Sequence, residues 1–383
     1  MIKMFTAFTE EMDDIDFALS EIMEQLNLDS LMDNSIGLVH CHGNFVDSGV
    51  VEALGKKLPF DTVGCSTLSV SSSGHIGPMA LEITVLTSDS VRFAAGASRP
   101  IEDDMNGPVE ELYERLIAPM PEKPSLLIPF IPFLMNIGGD EFIEKLDGLS
   151  GGLPAFGTLA FTHETDFSKN YTFHNGEIFS SSLVLLTLTG DVNPVFLSVS
   201  ISPGSVLKQK AVITGINRNV LRTVNNMPAM EYLESIGLAK NGVVSRLESA
   251  PFIVYLEDGS KLVRACAGAA GDGGVILCGS APLNSTFAIA SMNYDDVVGS
   301  TGEKVTEALS LANGRGLMMY SCAGRNWALG LRTMAEHETV RERVGDAVPY
   351  HFTYSGGEIF PERLENGRTV NHLQNDSLII CIL

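Results

Sequence analysis

Apolar and polar positions alternate along the chain in blocks that predict helices and strands in turn. Residues 11–26 place an apolar side chain every three or four positions with acids between them, which predicts an amphipathic helix. The next run, "SIGLVHCHGN" (35–44), is apolar and carries a glycine near its end, which predicts a strand. Further blocks predict a helix at 45–58 and strands at 61–70, 79–88 and 90–98.

The order strand, helix, strand, strand returns twice more. The second pass covers residues 124–190, and the third covers residues 315–383 and includes a strand at 348–359. Each strand–helix–strand piece is expected to pair its strands in parallel, whereas short strands linked by turns are expected to pair antiparallel. We therefore predict an α/β (α+β) fold with mixed β-sheets flanked by helices and repeated strand-helix-strand-strand units.

A strand-rich region separates the second pass from the third. It spans residues 251–292, and its Asp258-Gly259 pair is typical of a hairpin turn. The stretch 203–230 before it is polar and loop-like with a strand-like segment, "AVITGINRNVLRTV" (211–224), inside, and it is the best candidate for a domain boundary.

Charge and hydropathy exclude several classes of partner. The chain has 383 residues and a formal net charge of −22, with no basic run longer than Lys56-Lys57. Such a surface repels nucleic acids and anionic membranes, so neither is an expected partner. No uninterrupted apolar stretch reaches the roughly 18 residues that a membrane-spanning helix needs. The first residues turn acidic before a signal region forms, so we expect a cytoplasmic protein.

The candidate nucleophiles and metal ligands are isolated in the sequence. Six cysteines form no CxxC pair, and at least four are expected to be buried free thiols. A Cys65 nucleophile would need a base such as His40 or His42; the alternative is a small buried residue. His40 and His42 share one strand face but lack further ligands, so no metal is expected. No nucleotide or flavin fingerprint is present, so no cofactor is expected either.

Two segments of the third pass carry opposite charges. In "SCAGR" (321–325), Arg325 follows a predicted strand and precedes a predicted helix, a place where α/β sheets bind anionic groups. In "GGEIFPE" (356–362), Glu358 follows two glycines and offers a carboxylate to an ammonium group. Arg325 and Glu358 together suit a zwitterionic ligand. They also suit a plain ion pair without a ligand, and local spacing alone favours a structural pairing for Arg325.

Several of these segments, in their order, resemble the FIST family ("F-box and intracellular signal transduction" proteins). The resemblance covers residues 35–383 and rests on "VGCST" (63–67), "LEITVLTSDSVRF" (81–93), "AVITGINRNVLRTVNNMPAMEYLESIGL" (211–238), "SCAGR", "GGEIFP" (356–361) and "LQNDSL" (373–378). It implies a FIST N-terminal domain at 33–224 and a FIST C-terminal domain at 225–383. The sequence departs from the family pattern where Leu68-Ser69-Val70 follow "GCST" and where Asn375-Asp376-Ser377 precede the last strand.

The resemblance implies a sensory region that binds a small ligand, and amino acids or other small carboxylates are the expected class. The implied ligand-binding residues are Gly64, Cys65, Ser66, Cys322, Arg325, Gly357, Glu358 and Asn375. We expect no catalysis, and any output would pass to a separate signalling protein. The alternatives are a thiol-dependent or hydrolytic enzyme that uses Cys65 or Cys322, and an interaction scaffold without a pocket.

Overall fold

A computed structural model describes residues 1–134, 137–162, 169–244, 250–364 and 366–383. Three units of similar build follow one another along the chain. The first unit contains β1 (Lys3–Thr9), α1 (Ile15–Gln25), β2 (Asn34–Cys41), α2 (Asn44–Asp47), α3 (Val50–Lys57), β3 (Thr62–Ser66), β4 (Val70–Ser72), β5 (His75–Gly77) and β6 (Leu81–Ser88). The second contains β7 (Arg92–Ala97), α4 (Asn106–Ile117), β8 (Leu126–Ile131), α5 (Gly139–Ser150), β9 (Gly157–Leu159), β10 (Thr172–His174), β11 (Glu177–Phe179) and β12 (Val184–Thr189).

The third unit starts with β13 (Val195–Val199) and is interrupted by an insert, residues 206–290. The insert contains β14 (Val206–Asn217), β15 (Val220–Val224), β16 (Met227–Pro228), α6 (Ala229–Ser235), β17 (Ala239–Lys240), β18 (Val243–Val244), β19 (Phe252–Tyr255), β20 (Lys261–Arg264), β21 (Cys266–Ala269), β22 (Val275–Leu277) and β23 (Thr286–Ala290). Most of its strands form one eight-stranded sheet over an apolar core of its own.

After the insert, the third unit resumes the pattern of the other two. It continues with α7 (Tyr294–Ala312), β24 (Leu317–Cys322), α8 (Ala323–Ala328), α9 (Ala335–Val344), β25 (Tyr350–Ser355), β26 (Glu358–Arg363), β27 (Thr369–Gln374) and β28 (Leu378–Ile382). None of the helices in the described ranges is long and apolar enough to cross a membrane.

Each unit is built on a six-stranded mixed sheet of one pattern. A parallel pair lies at its centre, β2–β3, β8–β9 or β24–β25, and the unit's own antiparallel strands extend one side. A hairpin from another unit extends the other side: β10–β11 joins the first sheet, β26–β27 the second, and β4–β5 the third. These findings confirm the predicted fold class and its repeated units.

The three sheets turn one face toward a shared core and cover the other with helices. Alternate residues of the central strands, such as Leu38, Phe130 and Met318, pack together in the shared core because side chains alternate across a strand. The opposite faces pack on α1 and α3, on α4 and α5, and on α7 and α9. Each unit thus has two apolar layers, and α1 is the predicted amphipathic helix at 11–26.

Glycines explain where two predicted elements differ from the observed ones. The predicted helix at 45–58 breaks into α2 and α3 at Gly49, whose φ is +83°. The predicted strand at 348–359 turns at Gly356-Gly357 and leaves the third sheet for the second. Gly64 lets β2 and β3 approach closely, because a Cβ there would collide with the Val39 carbonyl oxygen. The predicted strand at 61–70 divides after Ser66, and its second part enters the third sheet.

The division into 33–224 and 225–383 stays a prediction.

Candidate functional site

The candidate site is a cavity between the insert and the carboxyl end of β24. Its volume is about 270 Å³, and the insert covers it with residues of β21 and the end of β22. The lining residues are Phe133, Phe161, Ala265, Cys266, Ala267, Cys278, Cys322, Ala323, Gly324, Trp327, Gly356 and Asn375. A cavity of about 90 Å³ adjoins it and shares four of these residues. A groove of about 470 Å³ lies elsewhere beside the insert, but none of the predicted site residues line it.

Cys322 ends β24 and caps the N-terminus of α8 at the wall of this cavity. Burial raises the pKa of its thiol well above the ordinary value, and the nearby carboxyl groups of Glu358 and Asp376 raise it further. The thiol therefore stays protonated at neutral pH, whereas a nucleophilic cysteine needs a lowered pKa.

Asp376, which the sequence did not single out, lies directly behind Gly324. Its φ is +52°, a conformation that Asp and Asn adopt more readily than most residues. A Cβ on Gly324 would collide with the Asp376 Oδ1 atom, so the glycine of "SCAGR" leaves room for this carboxyl group. Asp376 is 1% exposed, and Oδ1 has no hydrogen-bond partner in the described structure. Burial raises the pKa of Asp376 to about 7, against the opposing effect of Arg325.

Asn375 joins the insert to the core beside the cavity. Its Oδ1 accepts a hydrogen bond from the Ala265 backbone N–H at 3.2 Å, and its own backbone N–H donates to the Val263 carbonyl at 3.2 Å. Gly357 packs against it, since a Cβ there would lie 3.1 Å from Asn375 Nδ2. The position of Asn375 therefore depends on the insert as much as on the core.

Glu358 is fully buried and is bound by hydroxyl groups rather than by Arg325. Its carboxyl oxygens accept hydrogen bonds from Ser355 Oγ at 3.0 Å and Ser377 Oγ at 2.8 Å. Burial raises the pKa of Glu358 well above its ordinary value, more than the hydroxyl groups lower it. Glu358 supports the strand turn at Gly357 and does not line the cavity.

The hypothesis that Arg325 and Glu358 form the charged pair of the site is wrong, because Arg325 binds Glu336. Its guanidinium is 1% exposed and donates to Glu336 Oε1 from Nε at 3.1 Å and from Nη2 at 2.8 Å. The Glu336 carboxylate also accepts hydrogen bonds from Thr301, Ser321 and Tyr354. The alternative of a structural pairing therefore holds, and the partner is an acid on α9 that no sequence pattern indicated.

The N-terminal motif residues lie apart from the cavity. Cys65 is fully buried in the shared core, where burial strongly raises its thiol pKa. Ser66 is paired with Tyr171, whose backbone N–H donates to Ser66 Oγ at 2.9 Å. The Ser66 carbonyl accepts a hydrogen bond from the backbone N–H of Phe161 at 3.0 Å, and Phe161 lines the cavity. Of the predicted site residues, Cys322 and Asn375 are thus the two that reach it.

Replacing Arg325 by Ala should destabilise the protein by about 3–5 kcal/mol, because it leaves the Glu336 carboxylate buried without its counter-charge. Urea denaturation of the variant measures this loss. Arg341→Ala on α9 is the control, since Arg341 is exposed and its loss should change stability by less than about 0.5 kcal/mol. Equal stabilities of the two variants would contradict the assignment.

Replacing Asp376 by Asn should change how stability depends on pH. The folded-state pKa of about 7 exceeds the ordinary 3.8, so the folded chain holds more protons than the unfolded chain between pH 4 and 7. As the pH rises from 4 to 7, the free energy of unfolding of the wild type should fall relative to that of Asp376→Asn, by on the order of 4 kcal/mol in total. Denaturation at pH 4, 5.5, 7 and 8 checks this. A difference between the two proteins that is constant with pH would show that Asp376 titrates normally.

Two family models match nearly the whole chain. The FIST N domain matches residues 35–227, and the FIST C domain matches residues 225–361. No curated protein matches the sequence. Among solved structures, the crystal structure of cyanuric acid hydrolase from A. caulinodans is similar with a TM-score of 0.37 and 9% identity, over 100% of this chain and 98% of that chain.

The two domain matches follow each other in the order that the motifs predicted, and together they confirm the resemblance. They also include Cys322, Arg325, Gly357 and Glu358, whereas Asn375 lies beyond them. The chain therefore belongs to the FIST family, whose domains are signal-transduction sensor domains.

Proposed function

We propose that this protein is a cytoplasmic sensor that binds an amino acid or a related small carboxylate in the cavity between the insert and β24, without chemical conversion. The observation that carries the proposal is the Asp376 carboxyl group, which is buried behind the cavity wall with Oδ1 unpartnered. A buried carboxyl oxygen without a hydrogen-bond partner costs stability, and acids with such a raised pKa are concentrated at functional sites.

The cavity offers an apolar enclosure next to this acid. Phe133, Phe161 and Trp327 supply aromatic surface, and the rings of Phe161 and Trp327 meet edge to face with centroids 5.9 Å apart. The amide of Asn375 is a polar group at the same wall. Asp376 does not itself line the cavity but lies directly behind Gly324, which does, so an ammonium group bound there would bring a positive charge close to this acid. The apolar side chain of an amino acid would cover the aromatic surface, since binding sites combine apolar walls with a few placed polar groups.

The position of the cavity suits a sensor. Insert and core share its walls, and the Asn375–Ala265 hydrogen bond crosses between them. A ligand that contacts both bodies favours the arrangement in which both sets of contacts form, and so shifts the population of insert positions. A separate signalling protein would detect that shift in the population of insert positions.

A thermal-shift screen at pH 7.5 with the common amino acids tests the proposal. At a concentration of 100 times Kd, a ligand should stabilise the protein by about 2.7 kcal/mol. For each hit, the matching amine and the matching carboxylic acid should give smaller shifts, because each lacks one of the two charged groups.

Variants of the insert locate the binding site in the same screen. Ala267 is exposed and lines the cavity, so Ala267→Trp should fill it and abolish the shift. Ala269→Trp is the matched control, since Ala269 is an exposed residue of the same strand that does not line the cavity. A screen without hits, or equal shifts in both variants, would overturn the proposal.

Slow alkylation should separate a binding site from the alternative of a thiol enzyme. Burial raises the pKa of both Cys65 and Cys322, so iodoacetamide at pH 7 should label neither faster than an ordinary free thiol. Mass spectrometry of the time course gives the rate for each cysteine. Free cysteine sets the ordinary rate, because burial raises the thiol pKa even of Cys278, which is partly exposed, to about 12. Fast labelling of Cys322 or Cys65 alone would favour the enzyme.

A further inference from the structure

Two histidines and one glutamate meet inside the protein, apart from the cavity. His40 comes from β2, Glu82 from β6 and His351 from β25, so the cluster joins the first and third units. All three side chains are 0% exposed. One ligand-type atom of each residue lies within 4.8 Å of the others. His42, which the sequence offered as the companion of His40, is not a member of this cluster.

The polar atoms at the centre of the cluster are unsatisfied. His351 Nδ1 lies 2.7 Å from Glu82 Oε2, and His40 Nδ1 lies 3.9 Å from the same oxygen. Neither contact has hydrogen-bond geometry, and both nitrogens and that oxygen are buried without a hydrogen-bond partner in the described structure. Buried polar atoms are nearly always paired, so three orphans at one point require an explanation.

The spacing of these atoms fits a tetrahedral ion. Zinc bonds of about 2.0–2.1 Å to nitrogen and oxygen place neighbouring ligand atoms roughly 3.3 Å apart. The two observed separations, 2.7 and 3.9 Å, lie on either side of that value. The ligand atoms of His40 and His351 lie within 4.8 Å of each other, so an adjustment of the side chains is needed to bring all three atoms to coordination distance.

Neighbouring side chains hold two of the three ligands in the orientation that a metal needs. The Tyr320 hydroxyl lies 3.3 Å from His40 Nε2, which leaves Nδ1 of that ring turned toward the cluster. Thr84 Oγ1 donates a hydrogen bond to Glu82 Oε1 at 2.6 Å, which leaves Oε2 free. Metal-binding imidazoles and carboxylates characteristically have such outer partners.

We propose that His40, Glu82 and His351 bind one Zn²⁺ ion, which ties the first unit to the third from within the shared core. Two imidazoles and a carboxylate are a donor set that zinc accepts, with a fourth position for water. Three protein ligands and a water are the pattern of catalytic zinc sites, but complete burial of all three ligands keeps substrates away from this ion, so we assign it a structural role.

Metal analysis of the full-length protein tests this proposal. Protein purified from zinc-supplemented cultures should hold about one Zn²⁺ per chain by mass spectrometry, and chelator dialysis should lower its Tm by several degrees. Adding Co²⁺ to the stripped protein should restore the Tm and give visible absorption bands typical of low-coordinate Co²⁺. Unsupplemented protein loaded with Zn²⁺ should give the same Tm as the supplemented protein.

Two variants and a control assign the site. Glu82→Gln and His351→Gln should lose the bound zinc and the Co²⁺ bands, while His174→Gln, which removes a partly buried histidine outside the cluster, should keep both. If a cluster variant does not fold, the zinc content and Co²⁺ spectrum of the wild type decide alone. The proposal would be overturned if the folded wild-type protein held no zinc, its Tm did not change on addition of Zn²⁺, and it gave no Co²⁺ bands. The cluster would then be a His351–Glu82 ion pair.

Discussion

The mutual completion of the three sheets is the constraint on which the rest of the structure depends. Each unit donates a hairpin to another unit's sheet, so every sheet needs strands from two units, and all three sheets are complete only when all three units are in place. An unpaired edge next to β3, β9 or β25 would leave backbone N–H and C=O groups open to other chains. The exchange closes these inner edges, and it brings Ser69 and Ser71 of the first unit against His337 of the third. Residues far apart in the sequence thereby share one interior.

The buried charges divide into two kinds according to their partners. Glu336 has Arg325 and three hydroxyl groups, so its charge is compensated and its role is to fix α9 and α8 against β24. Asp376 has an orphan oxygen and a raised pKa, although Arg325 lies near enough to lower it. The difference matters because a compensated buried pair can serve stability alone, whereas an uncompensated acid beside a cavity indicates a missing partner.

Periodicity in the sequence predicted the elements well, and motif order predicted the family. The helix at 11–26 and the parallel central strands follow from patterns within a few residues. The exchanged hairpins could not be predicted in this way, because strands such as β4 and β10 are three residues long and their partners lie in another unit. The choice of Glu336 over Glu358 as the partner of Arg325 depends on how α9 packs, which no local spacing encodes. Asp376 was visible only as a departure from the family pattern.

The turn at residues 375–377 contacts the insert, the wall of the cavity and the end of β24. Asn375 hydrogen-bonds to the insert, Asp376 lies behind the cavity, and the Ser377 carbonyl accepts a hydrogen bond from the backbone N–H of Cys322. The chain then passes directly into β28, next to the parallel pair of the third sheet. A tilt of the insert would therefore displace this turn and, with it, the start of β28.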